Sequence, residues 1–229
     1  MSSTEPTPTS RVGRKPRVSR DQVLDAALEI ADEGGLGAVT MANVGARLGV
    51  EAMSLYRHIG NKDEMLDGLV DRVYGEIEVP ADATDWREAL RRQAVSAHAV
   101  LRRHPWAIAV MESRAQPGPA NLGHHDAMVG ILFRAGFDGP SAVRVYNLLD
   151  SYIYGFALQE ATLPFSSPEE MEEQSAQMLA AMADAYPNLA MVQRELVGKG
   201  FVYAEEFEAG LDIILPALPD PVRTASGSG

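Results

Sequence analysis

"LGVEAMSLYRHIGNKDEML", residues 48–66, holds more apolar and aromatic side chains than one packed helix face can use. Leu48, Val50, Leu55 and Ile59 fall where a core would take them. Ala52, Met53, Ser54, Tyr56, Arg57 and His58 do not, so the segment turns a second face toward something other than its own interior.

The flanking sequence supplies local helix signals. Thr40 caps a short helix, "MANVGARL", in which Val44 and Leu48 are an inward i, i+4 pair. "GV" at 49–50 makes a turn, and a third helix is expected from about Glu51 to His58. Upstream, Ser19 and Gln22 have the spacing of a capping box. They open a helix whose stripe is Val23, Ala26, Ala27, Ile30 and Ala31 and which "GGLG" (34–37) should stop. Those glycines follow a helix, whereas a phosphate-binding loop follows a strand. Downstream, Asn61 and Glu64 open a fourth helix, "KDEMLDGLVDRVYGEI", closed before Pro80. Two helices joined by a short glycine-containing turn inside a three-helix head define a helix-turn-helix.

The second face then has a use. Small or adaptable side chains at Ala52, Met53 and Ser54 let the helix end enter a major groove about 12 Å wide. Tyr56, His58 and Lys62 can pair with phosphates beside it.

A formal net charge of −12 argues against nucleic acid unless it is unevenly spread. It is uneven: residues 1–62 hold eight Lys/Arg against seven Asp/Glu, and residues 63–229 hold twelve against twenty-five. Arg11, Arg14, Lys15, Arg17 and Arg20 lie within ten residues that contain no acid. The absence of cysteine removes disulfides, thiol nucleophiles and thiolate metal sites. No apolar run approaches the roughly 20 residues of a membrane span, and the polar start lacks a signal-peptide core. These features are read as a cytoplasmic protein with no membrane partner.

Beyond Pro80 the pattern remains helical, with segments expected at 85–103, 105–114, 120–135 and 141–161. A further one is capped by Ser167 with Pro168 and Glu170, and a last one is "FVYAEEFEAGLDIILPAL" (201–218). No alternating strand pattern and no internal repeat stand out. The fold class is therefore all-α, with an N-terminal helix-turn-helix head and a larger helical body.

Residues 19–66 resemble the DNA-binding head of the tetracycline-repressor (TetR) family of bacterial regulators, through "LGV" in the turn, "LYRH" after it and "NKDEML" opening the fourth helix. The resemblance implies that Thr40 and Met41 touch the DNA backbone, that Glu51, Ala52, Met53 and Ser54 approach bases, and that Tyr56, His58 and Lys62 hold phosphates. Ala52 and Met53 cannot donate a directed hydrogen bond, which shifts base reading toward Glu51, Ser54, Arg57 and methyl contacts. Arg14, Lys15 and Arg17 in the arm either enter a minor groove or serve a solubilising tail.

In the body, "RAGF" (134–137) and "YIYGFALQE" (152–160) are similar to the subgroup built like the tetracycline repressor itself. That resemblance implies an all-α body that binds a small molecule and forms a homodimer through a four-helix bundle. The organisation expected is a disordered basic arm (1–18), a DNA-binding head (19–66), a ligand-binding and dimerisation body (67–220) and a disordered tail (221–229). Val145 and Leu149 in the long helix, with Phe207, Leu211, Ile214 and Leu215 in the last one, are the expected dimer residues. His98, Trp106, Met111, Met128, Phe133, Tyr152 and Phe156 either line an apolar cavity or fill the core. Arg114 and Gln159 are candidate polar contacts, with Arg114 also a possible partner for Glu160.

Family members that bind metal-chelated tetracycline carry a histidine and a glutamate where this chain has Val110 and Gln159. The expected effector is therefore some other, largely apolar molecule. His124 and His125 are adjacent on a helix, whereas a helical zinc pair needs i, i+4 spacing, so no metal and no cofactor are expected. Without "GxSxG" or a defensible His–carboxylate constellation, an enzyme is not expected either. A repressor released by its effector is the leading expectation, with an activator or a ligand-independent regulator as the alternative.

Overall fold

The computed structural model describes residues 18–111, 113–114, 116–164, 170, 173–174, 176–177, 185–197 and 202–221. Arg14, Lys15 and Arg17, the cap expected at Ser167 and Pro168, and the tail from 222 lie outside them. The chain divides into a head ending at Met65 and a body starting at Leu66.

The head begins with α1, Arg20–Ala38. Ser19 Oγ accepts from the Gln22 N–H at 3.2 Å and Gln22 Oε1 accepts from the Ser19 N–H at 2.9 Å, completing the expected capping box. Val23, Ala27, Ile30 and Ala31 are buried. The glycines bend the helix where they were expected to end it: Gly35 takes φ 69°, and one more turn runs to Ala38. Helix α2, Met41–Leu48, is capped by Thr40 Oγ1, which accepts from the Asn43 N–H at 3.1 Å. Gly49 closes it in the left-handed region.

Helix α3 is shorter than expected, Ala52–Leu55. After Leu55 the chain tightens: the His58 N–H reaches the Leu55 carbonyl at 2.8 Å, an i→i+3 bond that continues as turn rather than α-helix. Gly45 in α2 makes this packing possible. A Cβ there would lie 2.9 Å from the Val50 carbonyl oxygen and 3.1 Å from the Ala52 nitrogen, both backbone atoms. Helix α4, Lys62–Glu76, carries the division between head and body in its first turn. Asn61 Oδ1 accepts from the Glu64 N–H at 2.8 Å, but Glu64 Oε2 returns to the Gly60 N–H at 2.7 Å, one residue earlier than a capping box would place it.

The body contains α5 (Trp86–Arg103), a 3₁₀ turn (Pro105–Ala107), α6 (Ile108–Met111), α7 (Pro119–Ala135) and α8 (Gly139–Ala161). It continues with α9 (Pro187–Val197), a second 3₁₀ turn (Tyr203–Glu205) and α10 (Glu206–Ala217). Asp85 caps α5, Asp138 caps α8, and Gly136 ends α7 at φ 100°. Helix α5 packs on α8, with α7 against α8 and α10 against α5. Leu90, Leu101, Met128, Leu132, Leu149, Ile153, Phe207 and Leu211 are fully buried between them. Among the described residues there is no strand, and no helix is long and apolar enough to cross a membrane.

The dimer residues expected from the sequence are largely consumed by this core. Val145, Leu149, Phe207, Leu211 and Leu215 are buried within their own chain, and Ile214 is half-buried. Their i, i+4 regularity marks the stripe that the subunit itself covers. On these two helices the large apolar residues left exposed are Val143, Leu148 and Leu158 of α8 and Ile213, 75% exposed, of α10.

Candidate functional site

In the head, Leu55 and Ile59 anchor α3 and the turn after it, and Tyr56 and Arg57 between them face out. Met53 is 75% exposed, Tyr56 is exposed, and Glu51 and Arg57 are exposed beside them. Ala52, Ser54 and His58 are half-buried, as are Thr40 and Met41 at the start of α2. The Ser54 hydroxyl donates to the Glu51 carbonyl at 2.7 Å. Its proton is thereby used within the turn, and its lone pairs remain to accept from a base amino group.

Charge pairing sorts the basic residues of the described head. Arg47 is held by Glu29 at 3.0 Å and Glu33 at 2.5 Å, and Arg20 lies 3.7 Å from Glu64. The hydrogen bond from Arg47 holds the Glu33 carboxyl below its ordinary value, and Glu33, then Glu29, raise the Arg47 guanidinium. Arg57 has no carboxylate partner, and Lys62 Nζ donates only to the neutral Leu36 carbonyl at 3.4 Å. Arg57 and Lys62 thus keep uncompensated charge next to Tyr56, which suits phosphate.

The residues expected to line a pocket separate into three groups. His98, Tyr152, Phe156 and Gln159 come together where α5, α8 and α10 meet. His98 stacks on Phe207 with ring centroids 4.0 Å apart, Tyr152 stacks on the same ring, and Phe156 lies edge-on to it. The Tyr152 hydroxyl donates to the Phe207 carbonyl at 2.8 Å, and Gln159 Oε1 accepts from the Tyr203 hydroxyl at 2.9 Å. Glu160 is bound by His98 at 2.7 Å and by Arg102 at 3.3 Å, so an arginine other than Arg114 pairs with it. Trp106, Met111 and Met128 are buried and belong to the core. Phe133 is 53% exposed on α7, which removes it from the interior.

Arg114 instead binds Asp67 of α4 at 2.5 Å. Two more acids of α4 hold body elements. Asp71 Oδ1 accepts from the N–H groups of Ala120 and Asn121 at the start of α7, and Glu76 takes Arg103 and His104. Burial pushes the Glu76 carboxyl up, but its hydrogen bonds from Arg103 and His104 outweigh that and leave it below its ordinary value.

A further polar cluster lies inside the body and includes His124 and His125, which the sequence marks only as an unsuitable metal pair. Gln93 of α5 and His124 of α7 are buried, with Gln93 Nε2 3.5 Å from His124 Nε2. His125 Nδ1 meets the Tyr146 hydroxyl at 2.7 Å, and the Tyr74 and Tyr154 hydroxyls lie 3.2 Å apart. Burial, with a smaller contribution from His125, lowers the His124 imidazole to about 4. Among the described residues no group of three or more His, Asp or Glu is placed to hold a metal ion.

A three-helix head with an exposed short second-motif helix, joined to an all-α body, is the architecture of a helix-turn-helix regulator. Residues 23–69 match the bacterial regulatory proteins of the tetR family, and residues 79–219 match the tetracyclin repressor-like C-terminal domain. The chain is 33% identical to the HTH-type transcriptional repressor DrrR1 of Streptomyces coeruleorubidus, over 90% of this chain and 79% of that one. It is 26% identical to the class C tetracycline repressor protein of Escherichia coli, over 88% of this chain and 91% of the repressor. The crystal structure of ActR from Streptomyces coelicolor in complex with actinorhodin is similar at a TM-score of 0.74 and 26% identity, covering 88% of this chain and 95% of ActR. The chain belongs to the TetR family of DNA-binding bacterial regulatory proteins.

Proposed function

We propose that this protein is a homodimeric transcriptional repressor that occupies a near-palindromic operator and leaves it when a small, largely apolar molecule binds the body. The observation that carries the DNA half is the outward face of α3. Met53, Tyr56 and Arg57 are exposed around the buried anchors Leu55 and Ile59, and Arg57 and Lys62 are the only head cations among the described residues that lack a carboxylate partner. Glu51, Ser54 and Arg57 read bases, Tyr56, His58 and Lys62 hold phosphates, and Thr40 and Met41 touch the backbone.

The dimer forms through the outer face of α8 and the exposed Ile213 of α10, which leaves each subunit's own core intact. Two-fold symmetry then places two recognition helices roughly 34–36 Å apart, or a multiple of that, on matching half-sites. Effector action is a population shift: the molecule binds better to a body whose α6 and α7 hold α4 differently. Asp67, Asp71 and Glu76 are the groups through which α4 senses that change. The repressor DrrR1 supports repression, and the complex of ActR with actinorhodin supports a small-molecule effector.

Fluorescence anisotropy tests this with purified protein and DNA from upstream of its own coding region, at several salt concentrations. Tight, salt-sensitive binding to one near-palindromic segment, reversed by a small, largely apolar molecule from a panel of candidates, is the expected result. Reciprocity requires operator DNA to weaken effector binding by the same factor. An effector affinity unchanged by DNA would overturn the release mechanism.

A further inference from the structure

Among the described residues, two buried side-chain polar atoms have no hydrogen-bond partner: Gln93 Oε1 and His124 Nδ1. Gln93 is 2% exposed and His124 4%. They belong to adjacent side chains, and an unmet polar group at such depth costs several times what a made hydrogen bond contributes.

The contact between them determines what is left over. With the amide nitrogen of Gln93 donating to His124 Nε2, the neutral imidazole carries its proton on Nδ1, leaving one donor there and one acceptor on Gln93 Oε1. With the amide reversed, the Gln93 oxygen accepts from Nε2–H, leaving an amide donor and an Nδ1 acceptor. Either arrangement leaves the same demand, one donor and one acceptor on two neighbouring side chains. Aromatic rings stand around it, with the Tyr74 and His125 centroids 5.5 Å and 5.7 Å from that of His124.

We propose that Gln93 and His124 are the hydrogen-bonding end of the effector site, and that the effector meets them with a neutral hydroxyl carried on an aromatic framework. A hydroxyl donates and accepts from one atom and so satisfies both groups. A carboxylate has no proton to give and an ammonium accepts nothing, so each leaves one group unmet and adds a buried charge. A purely apolar molecule leaves both unmet. The assignment rests on the reading that the body binds an effector, and it adds which chemistry the effector presents and where.

The test is calorimetric titration of the full-length protein, free of DNA, with β-naphthol and with its methyl ether, which accepts but cannot donate. Binding of β-naphthol about tenfold tighter or more is expected, the usual effect of leaving one buried polar group unmet. A Gln93→Leu, His124→Leu double variant should abolish the preference while still binding the ether. Imidazole-nitrogen NMR of the unmutated protein gives a second readout that does not depend on the variant folding: β-naphthol should shift His124 Nδ1 and the ether should not. Equal affinities, no binding of either compound up to its solubility limit, or an unmoved His124 signal would overturn the assignment. Operator binding, measured separately, keeps the two ideas apart. A hydroxyl preference without release from DNA sinks the release mechanism alone, and release by compounds lacking a hydroxyl, with no preference here, sinks the site alone.

Discussion

Asp71 of α4 caps a helix that is not its own. Its Oδ1 accepts from the Ala120 N–H at 2.8 Å, and from the next N–H, Asn121, at 3.0 Å. Helix α7 has Gly118 at its N-cap and so no cap side chain of its own, and a Cβ at Gly118 would run into the Asp71 carboxylate. The negative charge also faces the positive end of the α7 dipole.

Asp71→Ala should therefore cost about 1–2 kcal/mol, the usual loss for a helix cap. For a chain of this size that lowers the thermal midpoint by about 2–8 °C, read by circular dichroism. An unchanged midpoint would show that the α7 start is satisfied in another way. Because the contact joins α4 to the body, the same variant should also alter how strongly effector and DNA oppose one another.

Arg57→Ala should weaken operator binding by about 1–3 kcal/mol, and Lys62→Ala should lower the slope of log affinity against log salt by about 1. Arg47→Gln is the contrasting case. Its guanidinium is already held by Glu29 and Glu33, so the salt slope should barely move. A large slope change for Arg47 would mean that these pairs break on DNA.

Gly45→Ala puts a methyl group against the Val50 carbonyl and the Ala52 nitrogen, which belong to backbone and cannot rotate away. A stability loss of about 1–3 kcal/mol is expected in thermal or urea unfolding, as for other overpacked sites. DNA affinity should fall further than stability, since α3 is displaced directly.

The lowered His124 imidazole makes a pH prediction whose sign is set by burial. The unfolded chain takes up a proton near 6.5 and the folded one only near 4, so folding is favoured above that window and loses stability as pH falls through it. At full extent the effect is about 3 kcal/mol. Urea midpoints between pH 7 and pH 4 should fall less steeply for His124→Leu than for the unmutated protein; parallel curves would refute the neutral buried state.

Ile213→Glu should yield a folded monomer by analytical ultracentrifugation, because the residue is 75% exposed in the subunit. Leu211→Glu, two residues away and fully buried, should instead unfold the body. If Ile213→Glu stays dimeric, the subunits meet elsewhere.

The head was legible because its signals are local. Ser19 with Gln22, Thr40 with Asn43, and Gly49 each act within a few residues, so their spacing reports the structure directly. The body was less so. Helix α8 is apolar on both sides, and nothing in its own sequence says which side the subunit covers. The most regular line, Val145 to Leu149, was assigned to a partner and proved internal. Phe133 failed for the opposite reason: an aromatic next to Leu132 reads as core, but only Leu132 points inward. Gln93 was missed because a glutamine between two arginines and an alanine reads as solvent-facing. It nevertheless lies on the buried stripe of α5 with Leu90, Ala94 and Ala97, and the spacing alone could have found it.

The ion pairs around Arg47 and Arg20 have a further consequence for occupancy. With those two cations engaged, the described head offers few charges to phosphate, and the counterions released per head are correspondingly few. In the proposed homodimer, residence on an operator then depends on two attachments acting at once, the second made at the high effective concentration that the first creates. Such an assembly is easy to dislodge. The effector proposed for the body has only to put the two heads of that dimer out of register, and a multiplicative affinity collapses to that of a single head.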